Sequence, residues 1–372
     1  MIIGIDASRS VESIQKTGVE KVSDELLLEL QKQLTEHNRR IDLLFYTPQE
    51  IDWLPKENLK ILHWPFNYFW TQIRLAWELI FHPPQVMFFP VHSVPIFLLL
   101  FNYFFRSTRY YKVIHDIAFK KRPDLYSFKK NLILNLDLWL ALKLCSKVFA
   151  PSQAVRQDLT KYTNINSDKI EVVHWGYERK TQNSDNRTQK KKQILYIGRV
   201  EKKKNIDNLV AGFKIFNAKY PEYKLILAGK IDPKFPISNF QCLNNSQITN
   251  FKSNITVEFL GYVSDDKKKE LLSESTALVL VSHEEGFGFP VLEAFDYQLP
   301  IIASDIPILR EIGGNGCFYI NQNSPEEIAV ALEKIIADKN FTDALIRTGS
   351  EIVRSKFSWS TTTATIVKQL VS

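Results

Sequence analysis

The chain is poor in cysteine, in long apolar runs and in low-complexity sequence, and each scarcity excludes a class of protein. Its 372 residues include only Cys145, Cys242 and Cys317, which are too few and too widely spaced for a disulfide framework or a zinc knuckle. The most apolar stretch, residues 94–105, is well short of the ~20 residues of a membrane-spanning helix. The N-terminus has no basic leader and no long apolar core, so we expect no signal peptide and a reducing, cytoplasmic setting.

The composition is that of a globular protein of more than one domain. Hydrophobic residues make up 45% of the chain and charged residues 24%, and the length favours two domains over one large core. The formal net charge of +7 suits a phosphate-bearing substrate, an anionic membrane surface or nucleic acid. No motif of interleaved aromatic and basic residues accompanies it, so we expect no nucleic-acid partner.

Short apolar stretches alternate with amphipathic helical patterns along most of the chain. This alternation predicts an α/β protein built from two Rossmann-like parallel sheets, the first in residues 1–177 and the second in residues 193–356. Residues 178–192 between them are almost wholly polar and read as a linker. Two open parallel sheets in tandem predict a ligand cleft at the carboxyl ends of their strands.

One candidate ligand-binding motif, "GRVEKKKN", follows a predicted strand of the second domain. Gly198 ends the strand, Arg199 follows it, and Lys204 comes five residues later, just before a predicted helix. A tight turn at this point brings both cations to one anion near a helix N-terminus, where arginine and lysine suit a phosphate group. The alternative is a solvated loop in which the lysines have no shared role.

A second motif, "SHEEGFGFPVLEAF", follows another predicted strand of the same domain. It places Glu285 and Glu293 eight residues apart, around a glycine-rich turn and a proline suited to a first helical turn. Two such carboxylates form an acid/base pair, or they accept hydrogen bonds from sugar hydroxyls. A third interpretation is that Glu293 only complements a helix dipole. The motif alone leaves all three interpretations open.

Two single residues of the first domain are weaker candidates. His115 follows a predicted strand in "YKVIHDIAF", where an imidazole either contacts a substrate hydroxyl, assists proton transfer, or has a structural role. Gly18 in "QKTGVEKV" precedes a predicted helix shortly after the first strand, and is a possible second phosphate contact.

Taken in order, these motifs resemble one enzyme family. The succession "TGVEKV", "VIHDIAF", "YIGRVEKKKN", "EEGFGFPVLEAF" and "SDIPILREIGG" is similar to the retaining glycosyltransferases of the GT-B fold, family 4 or group 1. The resemblance covers nearly the whole chain. Within the family, the chain looks most like mannosyltransferase-type members that build polysaccharides or lipid-linked glycans.

The resemblance assigns the donor site to the second domain. Arg199 and Lys204 match the pair that holds the donor diphosphate and stabilises its charge as it leaves. Glu285 matches the acid that binds hydroxyls of the donor sugar, and Glu293 matches the acid that holds the ribose hydroxyls. The backbone of Phe287, Gly288 and Phe289 matches the loop whose N–H groups meet the donor.

The same resemblance assigns roles in the first domain and at the C-terminus. His115 matches the histidine near the transferred sugar, and Gly18 matches the loop that closes over the diphosphate and borders the acceptor. The last helix, in residues 357–372, is expected to cross back to the first domain.

Two departures from the family pattern stand out, together with one missing motif. Thr17-Gly18 replaces the usual Gly-Gly pair, and Gln298 stands where the family usually has glycine. No DxD-type metal motif is convincingly placed, because Asp265-Asp266 looks like a helix start. We therefore expect no metal and no cofactor beyond the nucleotide sugar itself.

The resemblance implies transfer of a hexose with retention, from GDP-mannose or a UDP-sugar to a glycan or lipid-linked acceptor. The alternatives are a sugar-nucleotide epimerase of the same fold, or a basic scaffold protein without activity. Aromatic residues crowd residues 62–81 and 94–112 of the first domain, with Arg106, Arg109 and Lys112 in the second segment. These segments form either the core or a peripheral patch on an anionic membrane, on the cytoplasmic face.

Overall fold

The computed structural model describes residues 1–11, 18–37, 41–66, 68–91, 93–98, 108–179, 190–232, 235, 242–243, 247–250 and 255–372. These residues form two units: an N-terminal unit of Met1–Gly176 with Ser358–Ser372, and a C-terminal unit of Tyr177–Phe357. Most of the predicted linker, residues 180–189, lies outside the described residues, as do Thr17 and Arg106.

The N-terminal unit is built on a parallel sheet of seven strands in the order β3-β2-β1-β4-β5-β6-β7. The strands are β1 (Ile2–Asp6), β2 (Asp42–Thr47), β3 (Leu59–Ile61), β4 (Val86–Phe89), β5 (Arg109–Val113), β6 (Cys145–Ala150) and β7 (Ile170–Val172). The helices are α1 (Gly18–His37), α2 (Ala76–Phe81), α3 (Ala118–Lys121), α4 (Phe128–Leu144), α5 (Gln153–Thr163) and, from the end of the chain, α12 (Trp359–Val371).

The C-terminal helix belongs to the core of this unit. Helix α12 packs along α1, where the Gln33 side-chain amide donates to the Ser360 carbonyl at 2.9 Å. Trp359 packs against Trp175, with ring centroids 6.1 Å apart, and a side chain at Gly176 would collide with the Trp359 backbone. The end of the chain is thereby fixed to the N-terminal unit.

The C-terminal unit has a sheet of eight strands in the order β10-β11-β12-β9-β8-β13-β14-β15. The strands are β8 (Gln193–Ile197), β9 (Lys224–Ala228), β10 (Cys242–Leu243), β11 (Gln247–Asn250), β12 (Ile255–Gly261), β13 (Ala277–Leu280), β14 (Ile301–Ser304) and β15 (Cys317–Ile320). The helices are α6 (Ile206–Lys219), α7 (Asp265–Glu274), α8 (Phe289–Asp296), α9 (Pro307–Gly313), α10 (Pro325–Ala337) and α11 (Lys339–Ser355).

The predicted fold class of two parallel α/β sheets is confirmed, with one addition. Strands β10 and β11 extend one edge of the second sheet in antiparallel pairing, which the strand-helix alternation does not predict. The other strands of both sheets pair in parallel. The prediction that Asp265 begins a helix is also correct, since Ser264 caps α7 by accepting from the Lys267 N–H.

The departure at Gln298 is a local change in the turn after α8. Gln298 has φ 52°, a left-handed conformation that glycine adopts most easily. The Leu299 N–H donates to the Ala294 carbonyl and the Gln298 N–H to the Phe295 carbonyl, which is the Schellman arrangement for ending a helix. The turn keeps its form although a glutamine occupies the glycine position.

The apolar segments of the N-terminal unit are partly core and partly surface. In the first segment Trp70, Leu75 and Leu79 are buried, whereas Trp77 and Phe81 are more than half exposed. The prediction that Lys112 meets lipid head groups is wrong, because it is buried at 4% exposure and its Nζ lies 2.7 Å from Asp137 Oδ2. Among the described residues, no helix is long and apolar enough to cross a membrane.

Candidate functional site

The two motifs of the C-terminal unit meet because of the order of its strands. Strand β8 pairs with β9 on one side and with β13 on the other, so the strand order reverses at the β8/β13 boundary. In open α/β sheets, ligands bind outside the carboxyl ends of strands at such a switch point. "GRVEKKKN" follows β8 and "SHEEGFGFP" follows β13, which places both motifs at this boundary.

Lys204 and Glu285 form the central contact between the two motifs. Lys204 Nζ lies 2.6 Å from Glu285 Oε2, and the side chains are only 13% and 12% exposed. The hydroxyl of Ser282, which is fully buried, donates to Glu285 Oε1 at 2.7 Å. Each oxygen of the Glu285 carboxylate therefore has one partner and keeps a second lone pair for a ligand, and the carboxylate is fixed in orientation.

Glu285 is an acceptor of hydrogen bonds and a weak base. Burial alone would raise the pKa of its carboxyl, but Lys204 and Ser282 outweigh burial and hold the pKa below its usual value. The carboxylate thus contributes stability that is present above its unfolded-state pKa and is lost as the pH falls through the lowered folded-state pKa. A lowered pKa disfavours the interpretation of Glu285 as half of an acid/base pair.

Asn205 ties the two motifs together through its side chain. It adopts a left-handed conformation with φ 56° at the start of α6, which asparagine tolerates better than most residues. Its buried side-chain amide donates to the carbonyls of Val281 and Gln322, at 3.1 and 2.6 Å. The His283 N–H also donates to the Lys203 carbonyl at 2.9 Å, so the loop after β8 and the end of β13 are held together.

Arg199 lies at the same strand end but is half exposed. Its Nη2 is 3.8 Å from Asp232 Oδ2, a partner that the sequence motif does not reveal. A side chain at Gly229 would come within 1.9 Å of the Gly198 carbonyl oxygen, so the loops after β8 and β9 approach closely only because residue 229 is glycine. Lys204 is thus paired with Glu285, whereas the Arg199 guanidinium is accessible to solvent at the same strand end.

The glycine-rich turn leads into α8 with its backbone donors unused. Gly288 has φ 93°, and a side chain there would meet Leu309 at 3.0 Å. The Phe287 ring is buried and packs against the rings of Phe289 and Phe357, and these contacts hold the turn in place. Within the described residues, the backbone N–H groups of residues 286–289 donate to no other group. Unused donors at a helix N-terminus suit an anionic ligand.

Glu293 lies on α8 and pairs with a residue that the motifs missed. Lys268 on α7 places its Nζ 2.5 Å from Glu293 Oε1, and the two side chains are 16% and 17% exposed. In the sequence, Lys268 is one of three lysines in "DDKKKELL", and only its long-range ion pair with Glu293 in the folded chain selects it. The pairing occupies one oxygen of Glu293 and leaves the other for a ligand.

The two candidate residues of the N-terminal unit, His115 and Gly18, differ in how many contacts they make within that unit. His115 follows β5, and its Nε2 lies 3.0 Å from the Pro90 carbonyl oxygen, which accepts only. Nε2 is therefore the protonated nitrogen, and Nδ1 is left as an acceptor. Burial lowers the pKa of His115, so the ring is neutral near pH 7. Gly18 begins α1 at the surface, where a side chain would meet nothing within 4 Å.

Comparisons with known proteins agree with this architecture. Residues 178–351 match the model of the family "Glycosyl transferases group 1". The O-antigen chain mannosyltransferase RfbU of Salmonella typhimurium is 28% identical over 247 residues, which cover 66% of this chain and 65% of that protein. The serotype-specific mannosyltransferase WbdA of Escherichia coli is 27% identical over 232 residues, 58% of this chain and 27% of that protein. The chain thus spans less than two thirds of these relatives.

Solved structures share the fold over the whole chain. The Anabaena protein HepE in complex with UDP-glucose superposes with a TM-score of 0.71 at 18% identity, covering 100% of this chain and 99% of that one. WaaG, a glycosyltransferase involved in lipopolysaccharide biosynthesis, superposes with a TM-score of 0.70 at 13% identity, covering 100% of both chains. The chain thus has the GT-B fold, and its C-terminal unit is similar to the group 1 glycosyltransferases.

Proposed function

We propose that this chain transfers a hexose, with retention at the anomeric carbon, from a nucleoside diphosphate sugar to a glycan or lipid-linked acceptor in cell-surface polysaccharide synthesis. The observation that carries the proposal is the Lys204–Glu285 pair at the sheet switch point, beside the unused N–H groups of residues 286–289. A cation and free N–H groups suit a diphosphate, and fixed carboxylates suit hydroxyl groups.

In the proposed reaction the bond from the anomeric carbon to the leaving phosphate oxygen breaks on the face where the acceptor oxygen bonds. The acceptor proton passes to the leaving phosphate oxygen. Lys204 and Arg199 stabilise the charge on the leaving diphosphate. Glu285 holds donor hydroxyls and Glu293 holds ribose hydroxyls, while His115 offers Nδ1 to a hydroxyl of the transferred sugar. Glu285 is not the nucleophile in this proposal; its lowered pKa keeps it an ionised acceptor of hydrogen bonds from the donor hydroxyls.

The donor is GDP-mannose or a UDP-sugar, and no metal takes part. RfbU and WbdA are mannosyltransferases by name, and HepE has been solved with UDP-glucose, so both nucleotides enter the proposal. The part of the chain that the structure describes has no group of three or more His, Cys, Asp or Glu side chains placed to hold a metal ion. Metal independence is tested by activity in excess EDTA.

A donor screen tests the proposed function. The protein is incubated with GDP-mannose, UDP-glucose and ADP-glucose, with and without neutral oligosaccharide acceptors, and the released nucleotide is measured. We expect release that depends on acceptor with one GDP- or UDP-sugar. Conversion of the sugar nucleotide without any acceptor would point to an epimerase instead. Failure of all three donors to bind would contradict the transferase proposal and favour a non-catalytic protein.

Lys268 gives a prediction that isolates the role of Glu293. If Lys268 holds the carboxylate in position for the ribose hydroxyls, Lys268→Met weakens the binding of GDP or UDP about tenfold, the equivalent of about 1.4 kcal/mol. The same substitution lowers the affinity for the 2′-deoxy nucleotide, which lacks one of these hydroxyls, by much less. Titration calorimetry measures both affinities. The control is Lys267→Met, whose lysine pairs with Glu270 on the same helix. An unchanged ratio of ribose to deoxyribose affinity would rule out the positioning role.

The proposal includes peripheral contact of the N-terminal unit with an anionic membrane. Helix α4 exposes an apolar face made of Leu132, Ile133, Leu136 and Trp139, whose exposures run from 42% to 65%. Exposed lysines flank this face, Lys129 and Lys130 in the first turn and Lys143 in the last. An apolar face bounded by lysines suits the boundary between acyl chains and anionic head groups.

Other segments of the N-terminal unit also carry exposed aromatic side chains. The Gln72 amide donates to Ser93 Oγ at 3.0 Å, and the Val94 N–H donates to Asp137 Oδ1 of α4 at 3.2 Å. The exposed Phe97 therefore lies three residues beyond a contact with α4, and the exposed Trp77 lies five residues beyond a contact with Ser93.

Vesicle flotation tests this membrane contact. We expect the protein to float with vesicles that contain 30% phosphatidylglycerol, as about 1 kcal/mol per lysine adds to the insertion of apolar side chains. The variant Leu132→Ser/Ile133→Ser is expected to lose at least about tenfold in partitioning. The matched control is Ile215→Ser/Val330→Ser, at exposed positions of the C-terminal unit. Equal partitioning into neutral and anionic vesicles would count against the electrostatic part of the contact.

A further inference from the structure

A cleft of about 590 Å³ opens in the N-terminal unit, and its described lining includes none of the candidate site residues named above. Its lining includes Gln49, His63, Trp64, Phe66 and Trp70. The volume lies within the range of about 300–1,000 Å³ that is common for small-molecule sites. Among the described residues that line it, none is an Asp, Glu, Lys or Arg. The chemistry of the cleft is therefore aromatic and neutral-polar.

The cleft is formed by the loops that follow two neighbouring strands. Strands β2 and β3 are parallel partners at the edge of the sheet, so Pro48 and Gln49 after β2 lie beside the loop after β3. The Thr47 hydroxyl donates to the Gln49 carbonyl at 2.6 Å, which fixes the first loop. The cleft thus lies at the carboxyl edge of the parallel sheet, where open α/β folds bind ligands.

The aromatic walls are held by indole hydrogen bonds. Trp70 Nε1 donates to the Leu62 carbonyl at 2.9 Å, and Trp64 Nε1 donates to the Tyr68 carbonyl at 2.8 Å. The Trp64 and Phe66 rings pack edge to face, with centroids 5.5 Å apart. Phe66 is nevertheless 65% exposed. Rigid indoles with satisfied N–H groups present fixed apolar surfaces to a ligand, at little cost in side-chain entropy.

The backbone beside the cleft is strained. Phe69 has φ 64°, a left-handed conformation that is a genuine outlier for a bulky residue. A π-helical turn, Trp70–Leu75, follows directly and carries Trp70 into the cleft lining. Both features are costly in free energy and occur preferentially at functional sites.

We infer that this cleft is a subsite for the acceptor glycan, which binds neutral pyranose units of the chain that is being extended. A pyranose ring has apolar C–H faces, which pack on aromatic rings, and a rim of hydroxyls, which pair with the His63 imidazole and the Gln49 amide. A diphosphate would meet no Lys or Arg among the described lining residues. An alkyl chain would bury the Gln49 and His63 polar groups without partners. The inference rests on the proposed function and names the acceptor class for it.

The position of the cleft indicates which acceptor unit it takes. His115 follows β5 at the same edge of the same sheet, and β2 and β5 are three positions apart in the strand order. At ~4.8 Å between neighbouring strands, that separation is roughly 14 Å. His115 is proposed to contact the transferred sugar, so the cleft holds acceptor units that lie about this far from the unit that receives the hexose. The cleft contributes to the affinity for the acceptor and to a preference for acceptor glycans long enough to reach it. Its residues do not touch the reacting atoms.

The test is binding of neutral oligosaccharides, which needs no turnover. Mannotetraose and maltotetraose are titrated by saturation-transfer NMR against the wild-type protein and the variants Phe66→Ala and Trp64→Phe. We expect the wild type to bind at least one tetrasaccharide, Phe66→Ala to bind it about tenfold more weakly, and Trp64→Phe, which keeps an aromatic face, to retain part of the affinity. Tyr162→Ala, at a 38% exposed tyrosine on α5, is the control and stays unchanged.

The outcomes separate this inference from the proposed function. Failure of both tetrasaccharides to bind, or equal binding by Phe66→Ala and wild type, overturns the acceptor subsite. Binding of octyl glucoside with which maltotetraose does not compete also overturns it, because the cleft then takes an alkyl chain. The same samples are titrated with UDP and GDP. Sugar binding without nucleotide binding overturns the transferase proposal and leaves the sugar subsite standing.

Discussion

Glu285→Gln is expected to lower kcat/KM for sugar transfer by at least ~10²-fold while the fold survives. A hydrogen bond from a neutral group to a carboxylate contributes roughly 1.5–3 kcal/mol. Loss of two such hydrogen bonds from donor-sugar hydroxyls to Glu285 then lowers the rate by roughly 10²–10⁴-fold, because each 1.36 kcal/mol is a factor of ten. The amide keeps the size of the side chain and an oxygen that accepts from Ser282, so the loss reports the carboxylate charge together with its pairing to Lys204. The measurement is steady-state kinetics with the donor that the screen identifies.

The neighbouring residue supplies the control for this variant. Glu284→Gln changes the same charge one position away, at a residue with no assigned role, and is expected to leave kcat/KM within about threefold of wild type. Thermal unfolding of both variants checks that the C-terminal unit remains folded. Wild-type activity in Glu285→Gln would remove Glu285 from the donor site.

Lys204→Met is expected to lower kcat by about 10²–10³, the usual effect of removing one group that stabilises developing charge. It also leaves the Glu285 carboxylate buried without its cation, which we expect to cost roughly 1–3 kcal/mol in the free energy of unfolding. The control is Lys202→Met, an exposed lysine of the same run. A kcat equal to that of Lys202→Met would contradict the role of Lys204.

The pH profile of Lys204→Met adds a second readout. In the wild type, Lys204 helps to hold the pKa of Glu285 below its usual value against the effect of burial. Without Lys204, burial dominates and raises that pKa. If Glu285 acts as a carboxylate, the acidic limb of the kcat/KM profile moves to higher pH in the variant. A limb that does not move would show that ionisation of Glu285 does not limit the reaction.

The parts of the fold that follow local periodicity are predictable from the sequence. The strands β8 and β13 are short apolar runs, and the structure has each of them directly before its motif, as the sequence predicts. Strand β3 is missed because three residues with little burial, Leu59–Ile61, give no periodic signal. The antiparallel β10 and β11 are missed because their pairing depends on partners distant from the alternating pattern.

The candidate site shows the same division between local and long-range information. Arg199, Lys204, Glu285 and Glu293 stand in compact motifs at strand ends, and so the sequence singles them out. Lys268 and Asp232 belong to other elements and reach Glu293 and Arg199 only through tertiary packing. The strain at Phe69 has no sequence signal either, since phenylalanine has no preference for the left-handed conformation.

The most direct test of the central claim is a crystal structure of the protein soaked with GDP and, separately, with UDP. We expect one nucleotide to bind at the carboxyl ends of β8 and β13, with its diphosphate within hydrogen-bond distance of Lys204 and Arg199 and its ribose hydroxyls on Glu293. The N–H groups of residues 286–289 should face the ligand. A nucleotide bound elsewhere on the C-terminal unit, or density for neither nucleotide at saturating concentration, would contradict the assignment of this site.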